Sequence, residues 1–85
     1  MKTIDPKKIH VRYFAQLKDE RGLAEETVST RARTVKELYD ELHARHSLSM
    51  SKASLRVAVN DEFGDWNALL CDRDAVAFLP PVAGG

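Results

Sequence analysis

The sequence is poor in cysteine and proline and contains no long hydrophobic run. Cys71 is its one cysteine among 85 residues, so an internal disulfide is impossible. A single thiol suits a reducing compartment, and residues 1–6 lack the apolar segment of a secretory signal, so we expect a cytoplasmic protein. No apolar stretch approaches the ~20 residues that a membrane-spanning helix needs, and we expect no membrane partner.

The sequence also lacks an excess of charge of either sign. Lys plus Arg and Asp plus Glu number 13 each, which gives a formal net charge of zero, and the basic residues are scattered along the chain. Bulk electrostatics therefore provide no attraction to nucleic acid or to an anionic membrane. The length allows one domain with a modest core.

Motifs that build catalytic sites are missing as well. There is no Gly-rich phosphate loop, no Ser-His-Asp order and no nucleotide-binding fingerprint. His43 and His46 lie three residues apart, but no third ligand follows at metal-binding spacing, so we interpret them as part of a solvated helix face. We therefore expect no bound cofactor, no metal and no catalytic apparatus in the body of the domain.

The apolar residues recur with periods that predict the order strand, strand, helix, strand, strand. Alternation predicts strands over residues 9–13 and 55–59, and β-branched residues predict an edge strand over 25–31. Five apolar residues in a row predict a buried strand, Ala75–Leu79, and helical spacing predicts a helix, Val35–His46. One main helix packed on a mixed four-stranded sheet is the economical arrangement.

Shorter features complete the predicted fold. Ala15–Arg21, followed by a glycine, fits a single helical turn. Thr34 and Glu37 predict a capping box, in which the Thr34 hydroxyl accepts from the Glu37 amide and the Glu37 carboxylate accepts from the Thr34 amide. We assign Phe63 and Trp66 to an irregular link before the last strand, with Trp66 as a cap on the core.

The functional interpretation rests on the end of the chain. The Ala75–Leu79 strand stops at Pro80 and Pro81, which cannot donate hydrogen bonds to a ladder and which hold the chain extended. Gly84 and Gly85 carry bare backbone, so a narrow slot could accept them and exclude bulkier residues. The α-carboxylate of Gly85 becomes an electrophile once a partner adenylates it. The pattern therefore indicates a carrier whose reactive group is its own C-terminus.

This ending resembles that of the small subunit of molybdopterin synthase, a family that typically ends in x-Pro-Pro-Val-small-Gly-Gly. Here residues 79–85 read Leu-Pro-Pro-Val-Ala-Gly-Gly, and weaker matches are Tyr-Phe-Ala-Gln-Leu at 13–17, Thr-Val-x-x-Leu at 34–38 and Val-Asn-x-Glu-Phe at 59–63. The resemblance implies an α+β fold of the ubiquitin-like β-grasp type, with the first and last strands adjacent and parallel in the centre of the sheet.

We accordingly divide the chain into three parts. Residues 1–7 form an N-terminal extension, residues 8–79 form the β-grasp domain, and residues 80–85 form a flexible C-terminal Gly-Gly tail. The division follows from the polar, Pro-containing start of the chain and from the proline stop after the last strand.

The resemblance also implies a function, that of a sulfur carrier in molybdenum cofactor biosynthesis. An E1-like activating enzyme would use ATP to adenylate Gly85, and a sulfur donor would convert the adenylate into a thiocarboxylate. The tail would then enter the active site of the large subunit, within a heterotetramer. There the sulfur would pass to cyclic pyranopterin monophosphate to form the molybdopterin dithiolene. The carrier itself would be the non-catalytic, sulfur-donating subunit of this sulfurtransferase.

The resemblance assigns roles to individual residues. Gly85 carries the sulfur, and Gly84 allows entry into narrow sites of both partners. Phe14 and Phe63 are further partner contacts, although sheet twist or the following segment could equally cover Phe14. An apolar collar meets the large subunit where the tail begins: Leu79, Pro80, Pro81 and Val82.

One departure from the family pattern bears on the fold. Arg73 stands between two aspartates, where the family usually has glycine. Glycine there suggests a backbone with φ above zero, in which arginine would cost of order 1 kcal/mol. Either this strain is tolerated or the turn has a different type.

The sequence leaves three alternative functions open. Another sulfur carrier of the same fold could serve thiamine or cysteine synthesis, although the Leu-Pro-Pro stretch favours the molybdopterin family. A ubiquitin-like protein modifier would join Gly85 to lysine amines of other proteins. A plain interaction domain would carry the glycine tail incidentally.

Overall fold

The computed structural model describes residues 5–81, and within them the chain forms two helices and a five-stranded sheet. The helices are α1 (Ala15–Arg21) and α2 (Val35–His46), and Lys52–Ser54 forms a 3₁₀ turn. The strands, in chain order, are β1 (Lys7–Tyr13), β2 (Glu25–Thr30), β3 (Arg56–Val59), β4 (Glu62–Gly64) and β5 (Ala75–Leu79).

The sheet has the order β2-β1-β5-β3-β4, and β1 and β5 run parallel in its interior. The other neighbouring strands are antiparallel. Val11 lies beside Val76 and Tyr13 lies beside Phe78, so the buried faces of β1 and β5 coincide. The predicted β-grasp arrangement is confirmed, with the first and last strands adjacent and parallel and β2 at an edge.

The prediction of four strands was wrong by one, because the supposed irregular link contains β4. Asn60 and Asp61 have φ of 52° and 70°, both left-handed, as the two-residue type I′ hairpin turn requires. Val59 and Glu62 pair across this turn, and the chain returns along β3 for three residues. The link therefore begins only after Gly64.

The core lies between α2 and the inner face of the sheet. The ring centroids of Tyr39 on α2 and Phe78 on β5 are 5.0 Å apart, and Trp66 stacks on Phe78 at 6.0 Å. Trp66 is therefore a cap on the core, as predicted. The largest fully buried side chains come from β1, α1, α2 and β5: Tyr13, Tyr39, Phe78, Ile9, Leu17, Leu38, Leu42, Val11, Val35 and Val76.

Local hydrogen bonds fix the helix ends. The Thr34 hydroxyl accepts from the Glu37 N–H at 3.2 Å, as predicted. The Glu37 carboxylate, however, accepts from the N–H of Arg33 at 2.9 Å, one residue before the predicted partner. At the end of α1, Gly22 has φ of 82° and donates to the Lys18 carbonyl at 2.9 Å. This helix has seven residues, about two turns rather than the single turn predicted.

The turn before β5 contains Arg73, at the position where the family usually has glycine. Arg73 has φ of 73°, and its N–H donates to the Lys8 carbonyl at 2.7 Å. The expected left-handed conformation is therefore present, with arginine in it. Asp74 caps this turn by accepting from the Cys71 N–H at 2.8 Å, whereas Asp72 accepts from the Lys8 N–H at 2.7 Å and ties the turn to β1.

We expect Arg73→Gly to raise the free energy of unfolding by about 0.5–1 kcal/mol. The relief of left-handed strain, roughly 1–2 kcal/mol, exceeds the added entropy of the unfolded chain. Urea denaturation measures the difference. Arg33→Gly, at an exposed position outside the left-handed region, is the control and should destabilise the protein. A loss of stability in Arg73→Gly would show that the turn does not need glycine's freedom.

Candidate functional site

The predicted tail leaves the domain from the middle of the sheet. β5 pairs with β1 as far as Phe78 and with β3 as far as Leu79, so the last residue of the strand is held by β3. Leu79 and Pro80 are half-buried and Pro81 is exposed. Val82, Gly84 and Gly85 lie outside the described residues, and their assigned roles remain predictions. The position of β5 gives the tail a rigid base.

An apolar cavity opens beside this base. We call it the tail-root groove; its volume is about 720 Å³, and its lining residues are Phe14, Ala15, Gln16, Met50, Leu79, Pro80 and Pro81. Four of the predicted contact residues therefore meet in one place. An apolar recess of this kind, rimmed by polar residues, is a feature typical of interaction sites.

The end of β1 places Phe14 in the groove. Ala15 has φ of 51°, so the chain turns sharply into α1 as soon as the strand ends. The Phe14 carbonyl accepts from the Leu17 N–H at 3.1 Å, which fixes this corner. Phe14 is half-buried, and the Arg12 guanidinium lies 5.3 Å from its ring centroid. Phe14 is thus neither fully covered nor fully exposed.

Met50 is a groove residue that the sequence did not reveal. Its carbonyl accepts from the Tyr39 hydroxyl at 2.6 Å. The preceding residue, Ser49, donates its N–H to the Glu20 carboxylate at 3.0 Å and also donates its hydroxyl to it. Hydrogen bonds from the Ser49 hydroxyl, the Ser49 N–H and Gln16 lower the pKa of Glu20, so the carboxylate stays ionised at neutral pH. These bonds between distant segments hold the Met50 loop against α1.

Phe63 lies on the same face of the sheet but not in the groove. Ala58 pairs with Phe63 on one side and with Ala77 on the other, and Leu79 follows Ala77 by two residues. These side chains share the face opposite α2, because residues two apart in a strand point the same way. We call it the outer sheet face. Phe63 is 75% exposed, which leaves its ring available to a partner.

The described part of the chain offers no metal-binding cluster. Within residues 5–81, no group of three His, Cys, Asp or Glu side chains could hold a metal ion. The same residues include no helix long and apolar enough to cross a membrane. What the described residues do provide is an anchored tail base beside an apolar groove.

Comparison with known proteins places this geometry in a family. The chain is 35% identical over 80 residues to the molybdopterin synthase sulfur carrier subunit of Escherichia coli, covering 91% of this chain and 99% of that one. A putative molybdopterin converting factor subunit 1 from Pyrococcus furiosus has a TM-score of 0.74 at 28% identity, covering 89% of this chain and 99% of that one.

A third relative was solved as a protein–protein complex of subunits 1 and 2 of the molybdopterin-converting factor from Helicobacter pylori. The similar chain in it has a TM-score of 0.65 at 29% identity, and the match covers 92% of this chain and 99% of that one. The sequence model of the ThiS family matches residues 11–85, nearly the whole chain. The chain therefore belongs to the ThiS family.

Proposed function

We propose that this ThiS-family sulfur carrier is the small subunit of molybdopterin synthase and donates sulfur from its C-terminal glycine. The observation that carries the proposal is the 35% identity to the Escherichia coli sulfur carrier subunit, which extends over 91% of the chain. The apolar groove at the base of the tail supports it, because a carrier needs a docking surface beside its reactive group.

The chemistry begins at the Gly85 carboxylate. An E1-like activating enzyme adenylates it: a carboxylate oxygen attacks the α-phosphorus of ATP and pyrophosphate leaves. The resulting mixed anhydride is attacked at its acyl carbon by sulfide that a sulfur donor has released, and AMP leaves. The product is a thiocarboxylate, which is anionic at neutral pH and is a stronger nucleophile than the carboxylate it replaces.

The large subunit of molybdopterin synthase then receives the tail. Gly84 lets the backbone pass through a narrow channel, since a Cβ at this position would widen the chain. The thiocarboxylate sulfur bonds to a carbon of cyclic pyranopterin monophosphate, and water then cleaves the acyl–sulfur bond and returns the Gly85 carboxylate. Two loaded carriers are used for each dithiolene. We place the assembly as a heterotetramer with a dimer of large subunits at its centre.

The body of the domain contributes binding rather than catalysis. The tail-root groove and the outer sheet face offer Phe14, Leu79, Pro80 and Phe63 to the large subunit. Burial of such apolar side chains contributes favourably to the free energy of binding, by roughly 25 cal/mol for each Å² of apolar surface removed from water. Relatives of this fold support the arrangement, since one of them was solved with its second subunit bound.

Leu79→Asp tests this docking surface. We expect it to weaken binding of the large subunit by roughly 30-fold or more, about 2 kcal/mol, because it would bury a carboxylate in an apolar contact. Isothermal titration calorimetry with the large subunit from the same organism measures the affinity.

The matched control is Leu69→Asp. Leu69 is also apolar and is 75% exposed, but it pairs with Thr34 near the start of α2, away from the groove. This variant should bind like the wild type, and both should keep the wild-type melting temperature within a few degrees. Equal affinity of Leu79→Asp and the wild type would rule out the groove as the docking surface.

A further inference from the structure

Two arginines flank the apolar residues at the base of the tail. Arg56 on β3 lies directly opposite Leu79 in the antiparallel register, and Arg12 on β1 lies beside Ala77. The Arg12 guanidinium is 5.3 Å from the centroid of the Phe14 ring. Both arginines belong to the outer sheet face and both are exposed. The apolar residues at the base of the tail therefore have a positively charged arginine on each side.

Among the described residues, neither guanidinium is held in a close ion pair, and the carboxylates of Glu25 and Asp61 line the same recess as Arg12. Within residues 5–81, neither Arg12 nor Arg56 forms an ion pair or a side-chain hydrogen bond. The acidic residue opposite Arg12 in the register is Glu25, which contacts His10 at 3.0 Å instead. Asp65, which follows β4 beside Arg56, accepts from the Asn67 N–H at 2.9 Å.

The two charges constrain any partner that covers this face. A guanidinium remains protonated at physiological pH and offers donors in a planar fork that fits a carboxylate. An interface that removed Arg12 and Arg56 from water without anionic partners would lose the hydration of both ions with no interaction to replace it. A partner that buries Phe14 and Leu79 must also approach both arginines.

We propose that the large subunit carries carboxylate side chains opposite Arg12 and Arg56, so that the two arginines form a cationic rim around the tail-root groove. The inference rests on the function proposed above. It names a feature that this function does not require, because the groove could dock through apolar contacts alone. The rim orients the domain during encounter, since attraction of opposite charges raises the association rate before the apolar surfaces meet.

The double variant Arg12→Gln/Arg56→Gln tests the rim. Glutamine removes the charge while keeping a long polar side chain, and it places no new charge beside Glu25. At low ionic strength, about 20 mM, we expect the large subunit to bind at least ~10-fold more weakly than to the wild type. At about 0.5 M salt the difference should shrink to roughly twofold, because the Debye length falls to a few ångströms.

Arg33→Gln/Lys36→Gln is the matched control. It removes the same charge from two exposed residues at the start of α2. The start of α2 follows β2, and β2 ends beside the start of β1. The last strand, β5, ends beside the end of β1. The control residues therefore lie away from the base of the tail. The control should bind like the wild type at both salt concentrations, and thermal unfolding should show that both variants are folded.

Three results would overturn the rim: unchanged affinity of the double variant for the large subunit, an equal loss in the control, or a loss that does not depend on salt. The first would leave the proposed function intact. If the wild-type chain did not bind the large subunit, the proposed function itself would fail, and the rim with it. The experiment thus separates the two claims.

Discussion

A chain extended by one residue beyond Gly85 will fold like the wild type and yield no molybdopterin. The added residue replaces the Gly85 α-carboxylate with a peptide bond, which the activating enzyme cannot adenylate. The new terminal carboxylate lies one residue further out and carries a side chain unless that residue is glycine. We therefore choose alanine as the addition, and we expect product formation to fall below detection.

The control is the same alanine added before Met1, which changes the length equally and leaves the C-terminus free. Product is measured in a reconstituted reaction with ATP, sulfur source, activating enzyme, large subunit and precursor. Thermal unfolding should give the same midpoint for both variants and the wild type. Full activity of the C-terminally extended chain would mean that the reaction does not require the carboxylate of Gly85.

Phe78→Ala will have the largest effect on stability, a loss of about 3–5 kcal/mol in the free energy of unfolding. The side chain is fully buried, and its ring contacts Tyr39 on α2 and Trp66 on the link. It also lies on the strand that forms the base of the tail. Small domains have only about 5–15 kcal/mol of total stability, so the variant should be largely unfolded at moderate urea.

Urea denaturation followed by circular dichroism gives the free energies. Leu69→Ala is the control, because its side chain is exposed and its loss should change stability by no more than about 0.5 kcal/mol. A loss below about 1 kcal/mol in Phe78→Ala would show that the Tyr39–Phe78–Trp66 cluster does not hold the helix on the sheet.

Most of the fold could be predicted because its main elements have clear periods. Ala75–Leu79 is an unbroken apolar run in a central strand, and Val35–His46 has helical spacing with a cap at Thr34. β4 was missed because three residues, all exposed, have no burial pattern to detect. The available signal was the Asn60-Asp61 pair, which favours left-handed conformations and a tight hairpin.

The turn at Arg73 shows what a family resemblance adds to periodicity. No period in the sequence indicates a left-handed residue between Asp72 and Asp74. The expectation came from the glycine that the family usually places there, and φ of 73° confirms it. A family preference for glycine reflects a backbone that needs positive φ, and a residue that replaces the glycine must adopt the same conformation.

The parts of the candidate site that are contiguous in sequence could be predicted, whereas contacts between distant segments largely could not. The proline stop and the terminal glycines are contiguous in sequence, so their pattern could be recognised directly. Met50 reaches the groove through a loop that Glu20, 29 residues before Ser49, holds in place. Arg12 lies beside Ala77 and Arg56 lies opposite Leu79 only because the register of three strands sets them there. Contacts of this kind come from tertiary structure, which local patterns do not encode.

Intact mass of the chain shows directly whether Gly85 takes up sulfur and gives it up again. The chain is incubated with ATP, a sulfur source and the activating enzyme of the same organism, and the large subunit and precursor are then added. We expect the wild-type chain to gain the mass that corresponds to one oxygen replaced by one sulfur, and to lose it again when the large subunit and precursor are added. The C-terminally extended variant should show no such gain. A gain without transfer would indicate a carrier for thiamine or cysteine synthesis. A wild-type chain whose mass never changes would contradict the carrier function itself.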